Sequence, residues 1–142
     1  MVNKVLIEGK LNLIIEYVNR LKELKSLPLK EFLEDYRNPA TAESYLRRAL
    51  EAVFDIGRHI LAKSRGRDLS LEYKGIARGL RELGIVDENL GQKLMQMAGY
   101  RNRMVHLYSL VTDEELYEII QNDLKDFLNF VNSIKEYLAK LQ

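Results

Sequence analysis

The chain has two histidines and no cysteine. His106 lies in the run Tyr100-Arg101-Asn102-Arg103-Met104-Val105-His106-Leu107-Tyr108, which gathers two arginines, an amide, an imidazole and two tyrosines. At about 3.6 residues per turn, Asn102 and His106 share one stripe of a helix, and Arg101, Val105 and Tyr108 share the adjacent one. A guanidinium, an amide and an imidazole converging there suit a phosphodiester. Arginine neutralises the phosphoryl oxygens and histidine moves the proton. The alternative is a helix C-terminus at which arginine and histidine offset the negative end of the dipole. Residue chemistry alone leaves both readings open.

His59 follows Asp55 at a spacing that puts both on one helical face. Such a pair suits a metal ligand set or a carboxylate-oriented base. A transition-metal site needs further ligands, and the chain has neither HExxH nor a histidine cluster. A packed, hydrogen-bonded imidazole is the preferred reading of His59. The lack of cysteine removes disulfides, thiolate catalysis, zinc–thiolate sites and iron–sulfur clusters together. No metal or resident cofactor is expected.

The elements that must position these residues read as helices. Pro and Gly are scarce, at 2 and 8 in 142 residues, and Leu, Lys, Glu, Arg and Ala dominate. No alternating β-branched run and no Asn-Gly hairpin signal is present. A first helix is expected over 2–25, with Ile7, Leu11, Ile14, Val18, Leu21 and Leu24 on its apolar face. A short helix over 28–36 follows. Asn38-Pro39 reads as a cap and first-turn proline for a third helix over 39–64. Gly57 inside that helix costs about 1 kcal/mol against Ala, so a close helix contact is expected to compensate it.

Residues 65–70 read as a loop. Ser70 is expected to cap a helix over 71–83 that stops at Gly84, and Asp87 to cap another over 87–106. Thr112 and Glu115 form a capping box for one last helix running to Lys140. Its apolar residues Leu116, Ile120, Leu124, Phe127, Val131, Ile134, Leu138 and Leu141 step as a heptad-like seam. The expectation is an all-α, antiparallel up-and-down bundle, forming one domain over 1–142.

Charge narrows the function classes. There are 22 Lys+Arg against 21 Asp+Glu, a net +1. Residues 58–103, however, hold 10 basic and 5 acidic side chains. A basic middle in a neutral chain can form a phosphate-binding face, although a solvated helix surface explains it as well. No apolar run approaches the ~18 residues of a membrane span. Glu8 comes too early for a secretory leader. A cytoplasmic location without membrane contact is expected.

The segment GYRNRMVHLY resembles the arginine–four residues–histidine–x–tyrosine motif of the HEPN superfamily, whose members are all-helical and include RNA-cleaving toxins. Its surroundings are similar to the HepT-like branch of HepT/MntA toxin–antitoxin modules. Ala52-Val53-Phe54-Asp55-Ile56-Gly57-Arg58-His59-Ile60 resembles the helix ahead of the motif. Tyr73-Lys74-Gly75-Ile76 and Leu80-Arg81-Glu82-Leu83-Gly84-Ile85-Val86 resemble the middle segment. Asn89-Leu90 and Met97-Ala98-Gly99-Tyr100 lead into the motif. The resemblance covers about residues 45–130.

That resemblance implies a metal-independent endoribonuclease, the toxin of a type VII-like toxin–antitoxin module, acting as a homodimer with the motif at the dimer cleft. Arg101 and His106 match the catalytic pair, and Asn102 the polar residue beside the arginine. Tyr108 matches the motif tyrosine. In the family a tyrosine near the motif receives AMP from a minimal nucleotidyltransferase antitoxin of the MntA type, which silences the toxin. Cleavage by a 2′-hydroxyl, leaving a 2′,3′-cyclic phosphate, needs one proton acceptor and one donor. A two-fold axis would supply the second His106 and Arg101. The substrate would be RNA, since DNA has no 2′-hydroxyl. Its affinity would rest on Arg58, Lys63, Arg65, Arg67, Arg101 and Arg103. Tyr100 and Tyr108 could stack a base, although packing is the commoner role of a bundle tyrosine. The alternative is a non-catalytic HEPN module that binds a nucleotide or scaffolds a nucleotidyltransferase.

Overall fold

The computed structural model describes residues 2–65, 72–106 and 111–141. Among them every regular element is a helix: α1 Lys4–Lys25, α2 Leu29–Glu34, α3 Arg37–Arg65, α4 Tyr73–Glu82, α5 Glu88–Val105, α6 Asp113–Asn122 and α7 Leu124–Lys140. The all-α expectation holds. The apolar stripes read from the sequence face inward. Ile7, Leu11, Ile14, Val18 and Leu21 of α1 are buried, and so are Leu46, Leu50, Val53, Phe54, Ile60 and Leu61 of α3. They join one apolar cluster with Phe127, Phe130 and Ile134 of α7.

Cross-helix contacts give the directions. Asn3 meets His59, Lys10 meets Asp55, and Tyr17 packs on Tyr45 with ring centroids 5.8 Å apart. Residue numbers rise on α1 as they fall on α3, so the two long helices are antiparallel. α4 and α5 form a second antiparallel pair. Arg81 bonds Glu88 at one end, and Tyr73 lies under Arg101 at the other. The turn between them is a Schellman cap: the Ile85 N–H donates to the Leu80 carbonyl and the Gly84 N–H to that of Arg81. Gly84 has φ +73° there, a conformation glycine adopts without a side-chain penalty. The expected stop at Gly84 is where α4 ends.

Three expectations about helix ends change. The third helix starts at Arg37, not residue 39. Asp35 caps it by accepting the Arg37 N–H at 3.0 Å, while the Asn38 side chain donates to the Glu31 carbonyl. The last helix is two, broken at Asp123. Asn122 turns its side chain back onto the Glu118 carbonyl, and the Asp123 N–H closes on Ile119. The seam still runs through the break, because Leu116, Ile120, Leu124 and Phe127 are all buried. Thr112 does cap α6 by accepting the Glu115 N–H. The Glu115 carboxylate, expected to return that bond, goes to Arg103 instead. Asp87 caps α5 as expected, accepting from Leu90. Ser70 lies outside the described residues.

Gly57 meets the expected close contact. A Cβ there would sit 2.5 Å from the Ile76 Cγ2 and 3.1 Å from the Leu80 Cδ1. This seats α4 against α3. Isoleucine is stiff at χ1, so the crowding cannot be relieved at low cost. Gly57→Val is expected to destabilise the fold by about 1–3 kcal/mol, measured by urea unfolding, with α4 loosened before the α1–α3 pair in hydrogen exchange. Unchanged stability would show that the two helices do not rely on this contact.

Candidate functional site

The site is built where three helices meet. On α5, Leu90, Leu94 and Met97 form a buried stripe. Arg101 occupies the next position of that stripe. Its side chain is therefore delivered to the rim of the core, with 16% exposed. A guanidinium so placed needs partners, because a buried charge is costly when unpaired. Two other helices provide them. The Arg101 Nε donates to the Glu51 Oε1 of α3 at 2.6 Å. The guanidinium carbon stands 3.8 Å from the centroid of the Tyr73 ring, the first residue of α4, a cation–π contact. The Tyr73 hydroxyl donates to the Glu51 Oε2 at 3.2 Å, and its ring meets Phe54 edge-on at 5.0 Å.

Arg101 is thus held through its Nε and one ring face. Its Nη1 also donates to the Asn102 side-chain oxygen at 3.3 Å. Its Nη2 carries no bond among the described residues. His106 is the first residue past α5, with φ −91° and ψ 122°, and its N–H still donates to the Asn102 carbonyl. Asn102 and His106 line a groove of about 380 Å³ with Glu72, Tyr73 and Lys74. The shared stripe expected for Asn102 and His106 is therefore a shared groove wall, and Tyr73 joins it to Arg101.

The other basic residues proposed for RNA are placed differently. Arg103 is bound in parallel by Glu115 of α6, with Nη1 to Oε1 at 2.9 Å and Nη2 to Oε2. Arg58 bonds Asp55 at 3.3 Å and lies 5.3 Å from the Tyr73 centroid. Lys63 is exposed on α3. Arg65 ends α3, and its side chain, with Arg67 and Tyr108, lies outside the described residues. Tyr100 is no base-stacking residue. It is 6% exposed, with a hydroxyl that finds no hydrogen-bond partner among the described residues. Burial, with Asp123 and Asp126 nearby, pushes that hydroxyl well above its ordinary range.

Glu51 and Tyr73 were not singled out from the sequence. Glu51 shows as a carboxylate set among the core residues Ala49, Leu50, Ala52 and Val53. Such a residue signals a buried cationic partner, though not which one. Asp55 does not orient His59. It takes Lys10 at 3.5 Å and Arg58. No group of three or more potential metal ligands is present among the described residues, and none of their helices is long and apolar enough to cross a membrane.

The model of the ribonuclease HepT-like family matches residues 14–134. The chain belongs to this family. The tRNA nuclease HepT of Aphanizomenon flos-aquae is 27% identical over 144 residues, covering 99% of this chain and 95% of that one. Among solved structures, the tri-AMPylated HEPN toxin of Shewanella oneidensis, in complex with an MNT antitoxin, superposes with a TM-score of 0.82 at 24% identity. That match covers 95% of this chain and 99% of the toxin. The cytosolic protein YutE of Bacillus subtilis superposes with a TM-score of 0.80 at 20% identity, covering 96% and 91%. The fold of this HepT-like protein is therefore that of the HEPN toxins.

His59 has a structural partner. The Asn3 backbone N–H, at the start of α1, donates to its Nε2 at 3.1 Å. That bond needs the neutral imidazole. Burial, and then Lys63, hold the proton affinity below its ordinary value of 6.5. The unfolded chain takes up a proton near 6.5, and the folded one only at lower pH. The stabilisation is therefore full above that value and is lost as pH falls through it toward the folded pKa. His59→Ala should reduce the loss of stability seen between pH 7.5 and 5.5, read as melting temperature against pH. Parallel curves for the two proteins would remove this role.

Proposed function

We propose that this HepT-like ribonuclease, a toxin of the toxin–antitoxin type, cleaves RNA at the groove beside Arg101. The observation that carries the reading is the clamp itself. Glu51 and Tyr73 hold Arg101 by its Nε and ring face, next to a groove walled by Asn102 and His106. A phosphate in that groove would meet the Nη2 edge and have its oxygens neutralised as negative charge develops. His106 would take the proton from a 2′-hydroxyl as that oxygen attacks phosphorus. The bond to the 5′-oxygen breaks, that oxygen receives a proton, and a 2′,3′-cyclic phosphate remains. One imidazole per chain does not both accept and donate in a single step. A homodimer that brings a second His106 to the cleft supplies the donor. No metal takes part in this scheme. Residues 1–142 would act as one domain, in the cytoplasm.

Control is proposed to act on the same cleft. A partner nucleotidyltransferase of the MntA type, holding ATP and magnesium, would place AMP on Tyr108. Each AMP brings a negative charge and a base to the place where RNA must lie. The similar HEPN toxin of Shewanella oneidensis is tri-AMPylated and in complex with an MNT antitoxin, which supports this reading.

Cleavage of labelled RNA in EDTA tests the chemistry. His106→Ala and Arg101→Ala are each expected to lower the rate by about 10²–10⁴-fold with circular dichroism unchanged. Folded variants cutting at the wild-type rate would end the mechanism.

A second measurement bears on the clamp. Glu51→Ala should lower kcat by about tenfold or more by letting Arg101 turn toward water, while Glu51→Gln, which keeps an acceptor, should recover part of the loss. Equal rates for Ala and Gln would argue against positioning through that bond.

For control, intact mass after incubation with the cognate nucleotidyltransferase and ATP should rise in steps of one AMP, and Tyr108→Phe should abolish the rise. Modification of the phenylalanine variant to the wild-type extent would move the acceptor elsewhere.

A further inference from the structure

The arginines expected to hold RNA are largely committed to carboxylates: Arg58 to Asp55, Arg101 to Glu51 and Arg103 to Glu115. A ribonuclease so arranged needs phosphate contacts from elsewhere. A second groove, of about 350 Å³, lies on the N-terminal half of α3 and is lined by Tyr36, Arg37, Thr41, Ser44, Tyr45 and Arg48, with no carboxylate among the described residues of its wall. Tyr36 is 81% exposed, an unusual state for a large ring that supports no packing. Arg48 is exposed and pairs with no carboxylate among the described residues. Its guanidinium carbon instead lies 5.9 Å from the Tyr45 centroid. Arg37 is bound to Asp35 through Nε and Nη2, and its Nη1 carries no bond among the described residues. Arg47 is paired with Glu43.

The groove lines up with the site. Arg37, Ser44, Arg48, Glu51 and Arg58 follow at offsets of seven, four, three and seven, which keeps them on one face of α3. From Arg37 to Glu51 the helix rises about 21 Å. That is roughly six nucleotides of a stacked strand at about 3.4 Å each. Exposed rings with guanidiniums alongside are the features that hold single-stranded nucleic acid, because every base offers a face to stack and every linkage a charge.

We propose that this groove is a second RNA-binding site, which holds the single strand flanking the scissile bond. Tyr36 stacks a base and Arg48 pairs with a phosphate, about one turn from Glu51. The groove sets how long an RNA the enzyme prefers and leaves the bond-breaking step to the Arg101 site. The proposal rests on the ribonuclease reading above.

The experiment compares two RNAs, a trinucleotide spanning one cleavable linkage and a labelled single strand of twenty nucleotides around the same linkage. Tyr36→Ala/Arg48→Ala is expected to raise KM for the long RNA at least about fivefold, the smallest loss for one stacked base. Its kcat should be unchanged, and so should kcat/KM for the trinucleotide. In a His106→Ala background, binding of the long RNA should lose about 0.7 from its slope of log affinity against log salt for each phosphate contact removed. Wild-type KM and salt slope in the double variant, in a protein that still cuts RNA, would overturn the second site and leave the ribonuclease reading standing. Unchanged RNA kinetics with weakened binding of the nucleotidyltransferase would overturn it in favour of a protein-docking face. Failure of the wild-type protein to cut either RNA would sink both readings together.

Discussion

Arg101 is a charged group at the edge of an apolar core, and its neutralisation ties three helices together. The guanidinium belongs to α5, the carboxylate that meets it to α3, and the ring beneath it to α4. Remove any one and the other two lose their reason to adopt these rotamers. A long cationic side chain left to itself extends to water. Here its stem follows the core stripe and its head is stopped by Glu51, so the free edge is aimed without further support. The Gly57 contact acts one step upstream. By letting Ile76 and Leu80 approach α3, it brings the first turn of α4, and hence Tyr73, within reach of both Glu51 and Arg101.

The charge pattern follows the same logic. Pairing Arg58, Arg101 and Arg103 with carboxylates fixes their positions and lowers the positive potential that RNA would feel at a distance. A net charge of +1 offers little long-range steering. Recognition then depends on short-range contacts, and the cations still unpaired carry more weight than their number suggests. Among the described residues, Arg48, Lys63 and Lys74 are such cations. Of these, Arg48 alone lies beside two tyrosine rings in one groove.

Most of the architecture was legible because it rests on local signals. Apolar periodicity placed the buried faces of α1, α3 and α7. Asp87, Thr112 and Gly84 marked ends that depend on backbone geometry a few residues long. Gly57 announced its own contact, since glycine inside a helix is disfavoured unless something needs the space. The errors came from choices among partners. Asn38 can cap a helix, but Asp35, a carboxylate three residues earlier, took the Arg37 N–H. Glu115 can return a capping-box bond, but a guanidinium from α5 offered two charged donors in place of one amide. The break at Asp123 leaves no trace in the apolar seam, because Leu124 and Phe127 keep the register on both sides of it.

The site divides in the same way. Arg101, Asn102 and His106 are close in sequence, and helical spacing brought Asn102 and His106 to one wall. Glu51 and Tyr73 are 50 and 28 residues from Arg101, and no local pattern links them to it. Asp55 shares a helical face with His59, yet that does not oblige the two side chains to bond when Lys10 and Arg58 offer the carboxylate an opposite charge. The placement of the motif residues also separates their physical demands. Arg101 lies within the helix, where backbone and clamp keep it still, as a group that neutralises charge requires. His106 is the first residue beyond the helix, where its backbone is extended and it lines the groove with Asn102. On the proposed mechanism each imidazole takes or gives one proton at one of the two oxygens beside phosphorus, while the guanidinium does not move. A motif that ends its helix between these two residues meets both demands with one chain.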